Sequence, residues 1–184
     1  MSSYYYLAAQ LPYLTYGQGV PMTSGAFMVL AKEHLNAGDA AVLDHCTLDP
    51  GMEGGEDAAK VPSAFVRNWQ EWERSLRLNL ARNRAKKLKR EGGFALDVPD
   101  TPFDAAAAAR TASGMESPLE AEIFLDKARW DAIESFQGID MFCEDAIFAY
   151  MLKLLLMERR TAFSTEEGFT EYKALYAAIL GEPK

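Results

Sequence analysis

The chain has 184 residues, of which 49% are hydrophobic, and this is enough to bury one core without metal or disulfide staples. Lysine and arginine number 19 against 27 aspartate and glutamate residues, so the formal net charge is −8 at pH 7, which argues against a polyanion as the partner of the whole surface. We therefore predict a single domain over 1–184 whose anion contacts are local.

The two cysteines and the hydropathy of the chain indicate its compartment. Cys46 and Cys143 lie far apart with no CxxC spacing, which signals neither a disulfide framework nor a zinc site and suits a reduced cytoplasm. No charged segment followed by an apolar run begins the sequence, as a signal peptide would require. The longest apolar run, 151–157, is interrupted by Lys153 and is far shorter than the roughly 20 residues of a membrane span. We expect a cytoplasmic protein.

Residues 3–14 read SYYYLAAQLPYL, and five of the eight tyrosines lie within the first sixteen residues. As a strand over 4–9, this segment would place Tyr4 and Tyr6 on one face, because aromatic residues favour pleated surfaces. As a helix, it would carry a stripe ending at Pro12, whose ring disfavours helical geometry for Leu11. Both remain open, and the pattern slightly favours the extended form. In either form the rings supply apolar area while the hydroxyls reach water or a partner.

Two short helices and a loop follow. Ser24 is in position to cap a helix that carries Phe27, Ala31 and His34 on one stripe, and a second helix over about 39–46 should pack against it as a hairpin. Residues 47–62 read TLDPGMEGGEDAAKVP, with three glycines, two prolines and four acids. This composition predicts a mobile acidic loop.

The longest predicted helix runs over about 63–90, beginning at Ser63 and ending at Gly92 and Gly93, since glycine commonly terminates helices. Its apolar edge thins out toward the C-terminal end, where arginine and lysine take over, so we expect the last two turns to project from the body. The apolar edge consists of Phe65, Trp69, Trp72, Leu76, Leu80 and Leu88.

Residues 94–98 alternate apolar and small or acidic side chains and form the second candidate strand, closed by Pro99. Thr101 can cap a short alanine-rich helix over 105–110. Ser117 and Glu120 form a capping box with proline at the first helical position, which predicts a helix to about residue 136.

The strongest helical periodicity predicts the central core helix, and a capping box over 164–167 starts a last helix. The expected fold is therefore mainly α, with one long projecting helix and at most one or two short strands, over 4–9 and 94–98. The core stripe reads Ile139, Phe142, Cys143, Ala146, Ile147, Tyr150, Met151, Leu154 and Leu155. The last helix places Phe169, Tyr172, Leu175, Tyr176, Ile179 and Leu180 inward.

Residues able to carry chemistry are few. His34 lies on an apolar stripe and is most simply a packed helix residue, while the adjacent His45 and Cys46 would point about 100° apart on a helix and would not readily share one ion. Cys143, on the core stripe, is interpreted as an apolar filler. The turn containing Gly17 and Gly19 lacks the continuation of a phosphate-binding loop. We predict no catalytic residue, no cofactor, no metal site and no small-molecule substrate.

The concentration of positive charge in the long helix is the one feature that indicates a binding site. Residues 63–91 hold nine cations against three glutamates, a local charge of +6 in a chain of net charge −8. Such asymmetry indicates either a solvated helix face or an interaction site, and the candidate partner-binding residues lie at its C-terminal end. They are Arg82, Arg84, Lys86, Lys87, Lys89 and Arg90.

The run YYYLAAQLP over 4–12, followed by the short helices through residue 48, resembles a bacterial family encoded among the subunits of V-type (A-type) ATPases. The tyrosine run is also similar to the start of the C (or d) subunit of these rotary enzymes, an all-helical socket between the central stalk and the membrane rotor that performs no chemistry. This chain is shorter than that subunit and Pro12 interrupts its first helix, so no functional residue is carried over.

The resemblance implies a non-catalytic structural or accessory subunit of an ion-translocating, proton-transport type of ATPase, either a connector or an assembly factor. Its partners would be other ATPase subunits of the stalk or rotor, and it would lie in the cytoplasm, at the inner membrane only through the complex. The alternative is a nucleic-acid or anionic-surface binding module acting through the basic helix over 74–90. The acidic remainder opposes stable nucleic-acid binding, and no aromatic residue interleaves with the charges after Trp72 to stack on bases.

Overall fold

The computed structural model describes residues 3–49, 61–89, 101, 104–161 and 175. Outside the helices, the β-type pairing of these residues is one isolated bridge between Ser3 and Cys143. The prediction of a mainly helical fold is confirmed. The described helices are α1 Tyr5–Gln10, α2 Ser24–His34, α3 Ala37–Leu43, α4 Ala64–Lys87, α5 Ala105–Gly114, α6 Pro118–Gln137 and α7 Glu144–Thr161.

The N-terminal segment is a helix, so the strand favoured over 4–9 is wrong. Ser3 and the backbone N–H of Tyr4 pair with the chain before α7, with 2.7 Å between Tyr4 N and Phe142 O, and the helix begins at the next residue. α1 then buries Leu7 on one side. Leu11 is extended with ψ 130°, as expected for a residue that precedes proline, and Pro12 therefore ends the helix. The second candidate strand, 94–98, lies outside the described residues.

Side chains cap five of the helices, and the sequence identified two of these caps. The hydroxyls of Ser63 and Ser117 accept the first-turn N–H groups of α4 and α6, as predicted. The predicted caps Ser24 and Thr101 are wrong, because Thr23 and Asp104 occupy those positions. Ser24 is instead the first residue of α2, and its hydroxyl donates to Glu158 at 2.6 Å.

Glu158 on α7 also fixes the start of α2, because its other carboxylate oxygen accepts from Ser24 N at 2.6 Å. We expect Glu158→Ala to lower the free energy of unfolding by about 1 to 3 kcal/mol, since it removes two charge-assisted hydrogen bonds to a helix N-terminus. Urea unfolding measures this loss. Glu33→Ala, which removes an exposed carboxylate from α2 itself, is the matched control. Equal losses in the two variants would contradict the prediction.

α4 is the long predicted helix, and it packs against α5, α6 and α7. The helix ends at Lys87, where Lys89 adopts the left-handed region with φ 53°, before the predicted stop at Gly92 and Gly93, which lie outside the described residues. α5 lies along the C-terminal half of α4, so these turns do not project alone. Asn83 Nδ2 is 3.3 Å from Ser113 Oγ, and the Lys87 ammonium donates to the Ser113 carbonyl.

α7 is the central core helix that its periodicity predicted, but the helix begins later than the apolar pattern. Ile147, Phe148 and Leu154 are buried, whereas Ile139 is 99% exposed and Phe142 is also exposed. Gly138, with φ 73°, ends α6, and residues 138–142 form a surface connection between α6 and α7. The prediction that Ile139 and Phe142 are core residues is therefore wrong.

The predicted last helix lies outside the described residues except for Leu175. Leu175 is exposed rather than inward. Of the predicted acidic loop over 47–62, residues 50–60 likewise lie outside the described residues, so its mobility stays a prediction. Its first residues are held by α4, because Trp69 Nε1 donates to the Thr47 carbonyl at 2.9 Å.

Three charged side chains are buried between α4 and α6 and form an ion cluster: Glu73, Asp126 and Arg129, exposed by 0%, 2% and 4%. Arg129 Nε and Nη2 donate to the two Glu73 carboxylate oxygens at 2.9 and 3.0 Å, a bidentate pair, and Nη1 donates to Asp126 Oδ1 at 3.1 Å. The cluster fixes the register of α4 against α6, since sliding either helix would leave buried charges unpaired.

Two further arginines extend the ion cluster outward. Arg77 donates to Glu73 at 2.9 Å and to Asp49 at 2.6 Å, which ties the turn before residue 50 to α4. Arg159 on α7 lies 2.6 Å from Glu122 and 3.5 Å from Asp126. One chain of alternating charges therefore connects α4, α6 and α7.

Candidate partner-binding site

The predicted basic residues occupy the C-terminal end of α4, which we call the basic end. Arg84, Lys86, Lys87 and Lys89 are exposed there and Arg82 is half-buried, whereas Arg90 lies outside the described residues. Lys87 differs from its neighbours because its ammonium is bound to the Ser113 carbonyl of α5. Arg84, Lys86 and Lys89 are exposed cations in the last turns of α4 and directly after them, around the contacts that α5 makes there.

A second surface, which the sequence did not single out, is formed by α1 and the 138–142 connection. The rings of Tyr5 and Phe142 are in contact, with centroids 4.7 Å apart, and Tyr6 makes an edge contact with His34. We call this the aromatic surface. Its exposed large side chains are Tyr5, Tyr6, Tyr13, Ile139, Met141 and Phe142.

The local sequence explains why these apolar side chains face outward. α1 is one and a half turns long, so burial of Leu7 on one side leaves Tyr5 and Tyr6 on the other. The turn at Gly138 exposes the chain that follows α6, and the hydrogen bond from Tyr4 N to Phe142 O joins the two segments. The Tyr4 hydroxyl is held by Asn36 Nδ2 at 2.9 Å and by Asp39, which ties α1 to α3.

A pocket of about 430 Å³ opens in the aromatic surface between α1, the 138–142 connection and α7. Leu11, Leu14 and Ile147 contribute apolar side chains to its wall, while Tyr13 and Phe142 belong to both the pocket and the exposed surface. This size falls within the roughly 300 to 1,000 Å³ typical of binding pockets. The pocket is large enough for a bulky apolar group.

The polar side chains of the pocket are Glu134, Gln137, Tyr150 and Lys153. Lys153 Nζ lies 3.3 Å from both Glu134 Oε1 and Gln137 Oε1, and burial lowers the pKa of Lys153 while Glu134 opposes that shift. The Tyr150 hydroxyl donates to the Pro12 carbonyl at 2.9 Å, and burial raises the pKa of Tyr150 to about 12. These groups already have partners, so the arrangement favours an apolar occupant over an anion.

Four carboxylates lie on the segments that form or adjoin the aromatic surface. Glu134 and Asp140 are exposed near the pocket, and Glu144 and Asp145 lie in the first turn of α7. The pKa of Asp145 is raised mainly by burial and further by the charge of Glu144, while a hydrogen bond from Ser63 opposes the shift. This end of the molecule is therefore acidic, in contrast to the basic end of α4.

The aromatic surface and the basic end lie at opposite ends of α4. Ser63, the cap of α4, has its hydroxyl 3.4 Å from Asp145 in the first turn of α7, directly after the segment that carries Phe142. Lys87 lies at the other end of this helix of 24 residues, which is about 36 Å long at about 1.5 Å per residue. Two surfaces of opposite charge therefore lie near the two ends of one helix.

The histidines and cysteines do not converge. His45 is exposed while Cys46 is buried with its Sγ 3.9 Å from the Val42 carbonyl, and Cys143 is buried with its Sγ 3.2 Å from the Asp140 carbonyl. Burial raises the pKa of the Cys46 thiol. In the described part of the chain, no group of three or more histidine, cysteine or carboxylate side chains is arranged to hold a metal ion.

Comparison with protein-family models, with curated proteins and with solved structures found no match. None of the described helices combines the length and the apolar character that crossing a bilayer requires.

Proposed function

We propose that this chain is a non-catalytic connector or assembly subunit of a V-type (A-type) rotary ATPase, held at the cytoplasmic side of the membrane through the complex. The proposal begins from the YYYLAAQLP run, which resembles the N-terminus of a family encoded among these subunits. The same run supplies Tyr5 and Tyr6, whose exposure on the aromatic surface suits contact with another protein.

The observation that supports the proposal is that an exposed basic surface and an exposed aromatic surface lie at opposite ends of α4. A connector must contact one component at each end, and a rigid helix of about 36 Å keeps the two contacts at a constant separation. α5 and α6 pack against this helix. Two small interfaces on one rigid body can together hold a complex that either would hold weakly.

The basic end is proposed to dock on an acidic surface of the stalk or rotor. Arg84, Lys86 and Lys89 are exposed there, and complementary charges accelerate encounter and select orientation more than they add affinity. Contact at this end should weaken as ionic strength rises, because salt screens exposed charges. The aromatic surface, which is apolar, should be less sensitive to salt.

Replacing Tyr5 and Tyr6 with serine is expected to reduce the amount of co-purifying ATPase subunits at least about tenfold, because both rings are exposed and contribute apolar contact area. Affinity-tagged protein expressed at native level, followed by quantitative mass spectrometry, measures this. Val29→Ser on α2, also an exposed apolar residue, is the control. If unaltered tagged protein retains no ATPase subunit, the proposed function is wrong.

The exposed cations of the basic end support one alternative, a module that binds nucleic acid or another anionic surface. In that case DNA or RNA should be retarded at low salt, and each lost phosphate contact should reduce the salt slope by about one unit. Charge reversal at Lys86 and Lys89 would weaken both kinds of binding. Retention of ATPase subunits together with no retardation of nucleic acid favours the connector.

A further inference from the structure

The pocket in the aromatic surface differs from an ordinary surface cleft in two respects. Its walls continue into exposed apolar side chains, since Tyr13, Met141 and Phe142 both line the pocket and are exposed. Its one cation, Lys153, is already engaged by Glu134 and Gln137. An incoming group therefore finds apolar contact in the pocket and negative charge around it.

We propose that this pocket receives a large apolar side chain carried on a basic segment of a partner protein. The inference rests on the proposed function only in taking the aromatic surface as a docking surface, and it names the chemistry of the partner at that end. The pocket of about 430 Å³ admits a tryptophan, phenylalanine or leucine side chain.

An apolar anchor follows from the composition of the walls. Burying an aromatic or leucine side chain against Leu11, Leu14 and Ile147 removes apolar area from water on both partners. Such anchors in central pockets provide most of the binding energy of protein interfaces. Tyr5 and Ile139, exposed beside the pocket, would cover the rest of the segment and exclude water from the contact.

A basic segment follows from the charge around the pocket. Asp140 and Glu134 are exposed at its edge, and Glu144 and Asp145 lie nearby on α7. A segment with lysine or arginine beside its apolar anchor meets opposite charge at this edge, whereas an acidic segment meets like charge and would have to displace Glu134 from Lys153. The charge pattern therefore favours a partner segment with a net positive charge.

The test uses two fluorescein-labelled helical peptides of about four turns, each with leucine and tryptophan on one face. One peptide carries lysine on its other face, and the second carries glutamate at the same positions. Fluorescence anisotropy at low salt with the full chain is expected to show at least about tenfold tighter binding of the lysine peptide.

Two substitutions separate use of the pocket from general attraction to an acidic protein. Ala8 lines the pocket, whereas Ala9 is exposed on α1 and does not line it. Ala8→Trp should weaken the lysine peptide at least about tenfold, while Ala9→Trp should change its affinity less than about twofold. Met141→Ser, at an exposed position of the wall, removes apolar contact without changing the charge and should weaken the lysine peptide without disturbing the core.

Far-UV circular dichroism and the urea midpoint confirm that each variant is folded; if Ala8→Trp is not, Met141→Ser decides alone. Equal or tighter binding of the glutamate peptide, no binding of either peptide, or no loss in the pocket variants overturns the inference. Co-purified ATPase subunits with a negative peptide result would leave the proposed function standing and reject the inference. Peptide binding without co-purified ATPase subunits would reject the proposed function and leave the inference standing.

Discussion

Replacing Arg129 with methionine is expected to lower the free energy of unfolding by about 3 to 5 kcal/mol. Arg129 is the cation between two buried carboxylates. Its removal takes two hydrogen bonds from Glu73 and one from Asp126. Methionine keeps much of the side-chain volume, so the loss reports charge pairing rather than a cavity. Urea unfolding followed by tryptophan fluorescence measures it.

The control for Arg129→Met is Lys127→Met on the same helix. Lys127 pairs with Asp131 on the surface, where an ion pair contributes less than about 1 kcal/mol. A triple variant that adds Glu73→Gln and Asp126→Asn should recover part of the stability, because no uncompensated buried charge remains. A loss in Arg129→Met no larger than in Lys127→Met would show that the ion cluster does not stabilise the fold.

The loss in Arg129→Met should also depend on pH. Burial already raises the pKa of Asp126 above its unfolded value of about 3.9, while Arg159 and Arg129 oppose this shift. Without Arg129 the folded-state pKa rises further, so ionisation of Asp126 costs stability at pH 7 and that cost disappears as the pH falls through the folded pKa. The difference between wild type and Arg129→Met should therefore shrink as the pH is lowered from 7.

Replacing Leu7 with alanine is expected to cost about 2 to 5 kcal/mol, the range for a buried leucine. Leu7 is 1% exposed and is the buried residue of α1, so the helix would lose its main attachment to the core. Because α1 is short, it should open before the rest of the chain unfolds. Amide hydrogen exchange over 5–10 and urea unfolding measure the local and global losses.

Tyr6→Ala is the control for Leu7→Ala, because Tyr6 is exposed on the same helix. It should leave the free energy of unfolding within about 0.5 kcal/mol of wild type. Faster exchange in Leu7→Ala with little change in the global transition would mean that α1 detaches alone, and the pocket would be lost with it. Equal exchange rates in Leu7→Ala and wild type would contradict the assigned attachment.

The helices were predictable where a local signal determines them. Ser63, Ser117 and Pro118 are start signals that need no tertiary context, and the periodicity from Ala146 to Leu154 identified the core helix. The conformation of α1 was not predictable, because tyrosine suits both strand and helix and the choice depends on the burial of Leu7 and the pairing with Phe142.

The ion cluster left a signal in the sequence that was overlooked. Glu73 follows Trp69 by four residues and so falls on the apolar edge of α4, and Asp126 and Arg129 fall among Leu125, Trp130 and Ile133 on α6. Charged residues at core positions of two helices indicate a buried pair. The position of the partner on another helix, however, depends on packing that no local pattern contains.

The aromatic surface was missed for a different reason. Ile139 and Phe142 continue the spacing of the α7 stripe, so periodicity alone placed them in the core. The turn at Gly138 moves them to the surface, because α7 begins only at Glu144. Apolar side chains just outside a helix end can therefore match its period without sharing its face.

The opposite charges at the two ends of α4 make the molecule electrostatically asymmetric along this helix. In any assembly that contacts both ends, an inverted copy would bring carboxylates such as Asp140 against the site meant for cations, and Lys86 against the site meant for acids. Both contacts would then be repulsive at once. A single rigid helix thus lets the chain be inserted in one orientation and rejected in the other.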